Sequence, residues 1–250
     1  MLEFKNVTFQ YEGDGAPMIQ NLSFSVAPGD FISLIGTSGC GKSTVFRLIN
    51  GLEKPREGTI LFNGKDVSSG KNYSAYMPQK DLLFPWRTIE KNICLPMEIQ
   101  KKSAAEMKEK ALHMLKEVGL FDYRAKFPKE LSGGMKQRAS FARTLLTGSS
   151  LLLLDEPFSA LDSLTRISLQ EWLLEEWQKH QKTILFVTHD VEEAVFLSRK
   201  VFVINERPIK NFEIHEINLP YPRSRDMLKS PEIVELKEKL IKNLRQGALI

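Results

Sequence analysis

The sequence predicts an α/β protein whose core holds a mainly parallel sheet, with an antiparallel β subdomain and an inserted helical subdomain. Three observations carry this reading. Short apolar runs, "FISLIG" at 31–36 and "LLLLDEP" at 151–157, end in glycine or in acidic residues, as strands buried on both faces do. Stretches with helical spacing separate such runs, which calls for crossover connections and parallel pairing. The first thirty residues alternate instead, the texture of antiparallel strands.

Taken in order, Val7, Phe9 and Tyr11 share one face. Leu22, Phe24 and Val26 share another after the turn-forming "EGDGAP" at 12–17. "FISLIG" predicts a buried parallel strand, and a helix follows from Lys42 to about Asn50, with Gly51 at its carboxyl end. Asn63-Gly64 inside "GTILFNGKDV" is a hairpin signal. "YSAYMPQ" at 73–79 reads as a strand, and from about Pro85 the texture turns helical.

Ser103 and Glu106 form a capping box, followed by Met107, Ala111, Met114, Leu115 and Val118 at helical spacing until Gly119. Ser132 starts another helix through about Leu146, and Leu164 to Gln178 predicts a third. "TILFVTHD" at 183–190 is a further core strand. Ser230-Pro231-Glu232 opens a tail helix with Ile233, Leu236, Leu240 and Leu244 as its stripe. The plan is an α/β core with a helical insertion near 85–145 and a short appended tail.

The 250 residues suffice for one large domain with an insertion. The 35 basic against 31 acidic residues leave +4, too little to argue for nucleic acid. "MLEFKNVTFQ" is no signal peptide, and no apolar run approaches the ~18 residues of a membrane span. Two cysteines, Cys40 and Cys94, fit a reducing compartment. The chain reads as cytoplasmic; if it serves a membrane, another chain crosses it.

The chemistry concentrates in three stretches. "GTSGCGKST" at 36–44 matches G-x-x-x-x-G-K-[ST], the mark of a phosphate-loop NTPase core. Gly36, Gly39 and Gly41 let backbone N–H groups of Thr37, Ser38, Cys40 and their neighbours close around phosphates, next to Thr44 and the positive end of the helix. Lys42 reaches the terminal phosphates and the Ser43 hydroxyl is placed to ligate Mg²⁺. Cys40 is either a thiol activated by the helix end or a small space-filler, and its position favours the filler.

"LLLLDEP" delivers Asp155 and Glu156 to the carboxyl edge of the sheet. One carboxylate is enough to hold Mg²⁺; the next points elsewhere and suits a base for an attacking water, which favours a hydrolase over a kinase. Gln79 and His189, at the ends of their strands, are candidates to border the same site. In the third stretch, "LSGGMKQR" at 131–138, Ser132 and the Gly133–Gly134 backbone offer donors at a helix start, and these three residues include no lysine or metal ligand. It is half of a phosphate site.

Together these stretches resemble the ATP-binding subunits of ABC transporters, over residues 1–205 and in the expected order: the phosphate loop, Gln79, the signature "LSGGMKQR", "LLLLDEP", "SALD" at 159–162, and His189. The resemblance implies ATP and Mg²⁺ as cofactors, with Ser43, Gln79 and Asp155 around the metal. It makes Tyr11 the ring that stacks on adenine and Gln79 the link from Mg²⁺ and water to the transporter contact. Glu156 becomes the catalytic base, His189 the switch on the γ-phosphate, and Asp162 a contact to the partner subunit. It also accounts for the half-site: two copies pack head to tail, each signature covering the other's ATP.

One cassette and no spanning segment resemble importers whose permease is a separate chain, fed by a periplasmic or lipid-anchored solute-binding protein. "LLFPWRTIEKNI" and the tail at 206–250, a hairpin and helix, look like the group importing nitrate, sulfonates, taurine and thiamine precursors. This implies a peripheral protein on the cytoplasmic face of the membrane. Phe84 and Trp86 either line the permease-docking groove or pack in the core. The alternative, a soluble ABC ATPase of repair or translation, expects a long coiled-coil insertion or two cassettes, and neither is seen.

Overall fold

The computed structural model describes residues 1–68 and 73–247, so the last three positions of the tail lie outside the described residues. Chain order runs β1 (Leu2–Phe9), β2 (Ile19–Val26), β3 (Phe31–Gly36), α1 (Lys42–Ile49), β4 (Glu57–Phe62), β5 (Lys65–Asp66) and β6 (Ser74–Met77). There follow α2 (Ile89–Ile99), α3 (Ala104–Glu117), α4 (Gly133–Leu145), β7 (Leu151–Asp155) and α5 (Ser163–His180). β8 (Thr183–Val187), α6 (Val191–Leu197), β9 (Lys200–Ile204), β10 (Glu213–Glu216) and α7 (Pro231–Gly247) complete the chain. These form two compact units, Met1–Tyr73 with Leu174–Ile250, and Ser74–Leu173.

In the first unit β2, β1, β4 and β5 make an antiparallel sheet in that order. β1 buries Leu2 and Phe4, then Val7 and Phe9. The change of parity is a bulge at Asn6, whose φ of 51° only a few residue types tolerate. Val7 and Phe9 share a face as expected, but the strand ends at Phe9 and Tyr11 lies beyond it. Phe24 stacks on Phe4 at 4.4 Å across the β1–β2 pair. Asn63 and Gly64, at φ 51° and 77°, turn β4 into β5 as the dipeptide predicts.

The core strands of this unit run in the order β10, β9, β3, β8. β3 lies parallel between β8 and β9 with all six residues buried, which is why its sequence is an apolar run rather than an alternation. β8 ends at Val187, earlier than the predicted 190, because Asp190 turns its carboxylate to cap α6 and accepts from the amides of Glu192 and Glu193. β10 returns antiparallel on β9. α7 begins on Pro231 and buries Ile233 and Leu240, with Leu236 and Leu244 half-buried. Among the described residues no helix is long and apolar enough to cross a membrane.

The second unit is helical around a parallel pair. β6 pairs with β7 from Ser74 opposite Leu151 to Met77 opposite Leu154. Parallel register sends the loops after both strands to one edge, so residues 78–79 and 155–156 emerge together. α2 packs on α3 and α4. Thr88 caps α2 and Ser103 caps α3, each hydroxyl accepting a backbone amide three residues on.

Candidate functional site

In the first unit the segment between β3 and α1 is the phosphate-loop motif. Gly41 has φ 110°, and a Cβ there would meet Ile209 at 2.9 Å and Met18 at 3.0 Å, so conformation and space both demand glycine. Lys42 is 8% exposed and its ammonium donates to Gly36 O and Thr37 O, both at 2.8 Å. A polyphosphate in the loop would compete with those carbonyls for the same cation. Thr37 is half-buried while Ser38, Gly39 and Ser43 are exposed. Cys40 is buried, and that burial pushes its thiol pKa up against the pull of Lys42, as befits a filler rather than a nucleophile.

Tyr11 is half-buried, its ring edge-on to Phe9 at 4.8 Å and its hydroxyl 3.1 Å from the Thr44 hydroxyl. A cleft of about 850 Å³ opens on residues 14–17, 37–40 and 204–208 of the same unit. His189, also in this unit, is exposed between β8 and α6.

The second unit holds the carboxylates. Asp155 ends β7 at 4% exposure, and the Tyr76 hydroxyl donates to its Oδ2 at 3.3 Å. Glu156 takes a left-handed backbone, φ 49°, and leaves the line of the strand. Its Oε2 accepts from the Gln79 amide at 3.0 Å. With the nitrogen so used, the amide oxygen of Gln79 is the atom able to ligate a cation. Within this unit Asp155 and Gln79 both offer hard oxygen donors of the kind that suits Mg²⁺, as the Ser43 hydroxyl does in the first unit.

Ser132 caps α4, accepting from Met135 N at 3.3 Å, and both it and Gly133 are exposed. A Cβ on Gly134 would stand 2.9 Å from Ala160 O, so the helix start lies directly on that turn. Asp162 is exposed and caps α5; the hydrogen bond from Thr165 N at 3.0 Å holds its carboxyl below the ordinary range. Trp86 is 71% exposed and lies 5.1 Å from Phe84, so core packing is excluded for Trp86.

Sequence reasoning missed two buried amides. Asn92, fully buried in α2, accepts from Phe84 N and donates to the carbonyls of Phe84, Arg87 and Thr88, which fixes the loop bearing Trp86. Gln137, 4% exposed in α4, bonds to Glu156, Ser159 and Ala160. Gln137 sits inside the signature, whose presence marks the segment but not which of its side chains faces inward.

A parallel core with a phosphate loop, a strand ending in two carboxylates and a glycine-rich helix start defines an ATP-binding cassette. The chain belongs to the ABC transporter family, whose model matches residues 19–159. It is 42% identical to the formylaminopyrimidine import ATP-binding protein ThiZ of Halalkalibacterium halodurans, over 98% of this chain and 95% of that protein. It is 40% identical to the aliphatic sulfonates import ATP-binding protein SsuB of Bacillus cereus, over 93% of this chain and 90% of that one. Among solved structures it is similar to the ATP-binding cassette MJ0796, a dimer bound to ADP and phosphate in a post-hydrolysis state. The TM-score is 0.79 at 27% identity, over 88% of this chain and all of the other. The mixed α/β architecture is that of such cassettes.

Proposed function

We propose that this chain is the ATP-binding and ATP-hydrolysing subunit of an importer, two copies of which close around two ATP molecules to drive a small solute through a separate permease. The observation that carries the reading is the coexistence of a complete phosphate loop with an exposed glycine-rich helix start at Ser132 and Gly133. The second has amide donors and a helix dipole, but Met135 stands after its glycines where Lys42 follows Gly41, so it is useful only against nucleotide held elsewhere. The importer names of the relatives support the transport role.

In this reading Lys42 holds the terminal phosphates, and Ser43, Asp155 and Gln79 hold Mg²⁺, which when bound neutralises phosphate charge. Glu156 takes the proton of the attacking water, Gln79 orients both, and His189 holds the γ-phosphate. Tyr11 stacks on adenine and Asp162 contacts the second copy. Residues 1–205 act as the cassette and 206–250 as its appended tail. In the same reading the protein is peripheral on the cytoplasmic face of the membrane, and the exposed Trp86 beside Phe84 supports a permease contact. The solute-binding protein is engaged only through the permease.

The test is phosphate release from ATP by the purified full-length chain, with Mg²⁺ and with EDTA, together with affinity capture from membranes. Magnesium-dependent hydrolysis and co-purification of an integral membrane protein are expected. Absence of hydrolysis, or capture of only soluble partners, would overturn the reading.

A further inference from the structure

The second unit contains three residues other than glycine with left-handed backbones among those described: Leu82, Lys101 and Glu156. Lys101 follows the carboxyl end of α2, where that conformation is the ordinary way to stop a helix. Leu82 and Glu156 have no such excuse. A left-handed backbone is costly for residues of this size and persists only where the surroundings over-determine it.

In both cases the surroundings include the same helix. Gln137 of α4 donates from Nε2 to Glu156 O at 2.9 Å and to Ser159 Oγ at 3.0 Å, and its Oε1 accepts from Ala160 N at 2.8 Å. The Ser159 hydroxyl donates to Glu156 O as well, at 3.0 Å. Six residues along α4, Arg143 donates to Asp81 O and to Leu82 O, each at 2.8 Å. One of these loops presents Gln79 and the other Glu156, whose side chains meet at 3.0 Å. Gly134 lets the helix sit on the Ala160 carbonyl without intervening bulk. The signature helix thus grips, from one side, the carbonyls of both strained turns that flank the Gln79–Glu156 pair.

We infer that Gln137, supported by Arg143, is a positioning residue that holds Glu156 of its own chain in the geometry needed to act on water. This rests on the proposed role of Glu156 as base. The signature helix then acts twice, since its exposed start serves a nucleotide while its buried side chains set the base. Gln137 does not touch the reacting atoms; it fixes the backbone from which Glu156 projects. A buried amide bonded at both ends defines a turn more tightly than apolar packing would, because any shift leaves buried polar atoms unpaired.

Gln137→Glu keeps the length of the side chain and the acceptor for Ala160 N but removes both donated bonds; Gln137→Met removes all three with little change in volume. In the full-length protein both should lower the turnover of ATP hydrolysis by about 10-fold or more, with ATP Kd within about threefold of wild type. The decisive measurement is the same substitution in a Glu156→Gln background, read by single-turnover hydrolysis. There Gln137→Glu should add less than about twofold, since the group it positions is gone. A packing role would slow both backgrounds alike.

Wild-type turnover in both variants, ATP affinity lost in step with turnover, or additive losses in the double variant would each overturn the inference. If Glu156→Gln itself turns over like wild type, the role of Glu156 fails first and takes the inference with it. If Glu156→Gln is slow while the Gln137 variants are normal, only the inference fails.

Discussion

The amide of Gln79 donates to the carboxylate of Glu156 at 3.0 Å, although 77 residues of chain separate them. Parallel pairing of β6 with β7 brings the two together, since it releases both strands at the same edge. A water activated by Glu156 would have to share the carboxylate with that amide. Glu156→Gln removes the basic oxygen and keeps the shape. Turnover should fall by about 10²-fold or more while ATP Kd stays within a few-fold. Parallel nucleotide-binding and steady-state hydrolysis measurements decide it, and near wild-type hydrolysis would remove Glu156 from the mechanism.

Tyr11 offers a ring beside the phosphate loop and a hydroxyl bonded to Thr44. Adenine stacking needs the ring alone. Tyr11→Ala should weaken ATP binding by about 1–2 kcal/mol, whereas Tyr11→Trp and Tyr11→Phe should be nearly neutral. Equal losses for Phe and Ala, measured by titration with ATP, would shift the role from the ring to the Thr44 hydrogen bond.

The exposed start of α4 predicts complementation between two dead proteins. Lys42→Ala damages the cradle, and Gly134→Asp sets a carboxylate against the Ala160 carbonyl, on the helix start proposed to face the γ-phosphate of the other copy. Each homodimer should be inactive. In a mixed dimer with shared sites, one site inherits both lesions and the other none, so mixing should restore hydrolysis. Wild type mixed with the double variant is the control, and there a shared site predicts inhibition. A silent first mixture with an uninhibited control would exclude sharing.

Cys94 of α2 gives a pH prediction. Burial, with Glu90 and Glu98 nearby, pushes its thiol pKa from 9.0 up to about 11. The group therefore holds its proton at neutral pH, with a thiolate fraction about 100-fold below that of a free cysteine. Iodoacetamide labelling of Cys94 in the folded protein should be slow at pH 7 and accelerate as pH rises towards 11. The unfolded thiol ionises first, so Cys94 also withdraws stability as pH climbs between those two values. Labelling at neutral pH as fast as in denaturant would contradict the buried thiol.

Much of this protein was legible from the sequence because its local rules are strict. Gly41 beside Lys42 and Asn63-Gly64 need backbone conformations that few residues adopt, so the sequence marks them directly. "FISLIG" and the four leucines of "LLLLDEP" name buried strands because both faces of each strand are covered, which leaves no side for polar residues. The ABC signature identified the family from eight residues. What the sequence could not determine depends on which groups meet across the fold. The bulge at Asn6 turns Leu2 and Phe4 inward together with Val7 and Phe9, which strict alternation would not do, and Asp190 spent its carboxylate on capping α6 rather than extending β8. The bonds from Gln137 and Arg143 to strained carbonyls also belong to the tertiary structure. Periodicity reports which face of an element is apolar, whereas a buried amide is placed by the directional hydrogen bonds of residues distant in sequence.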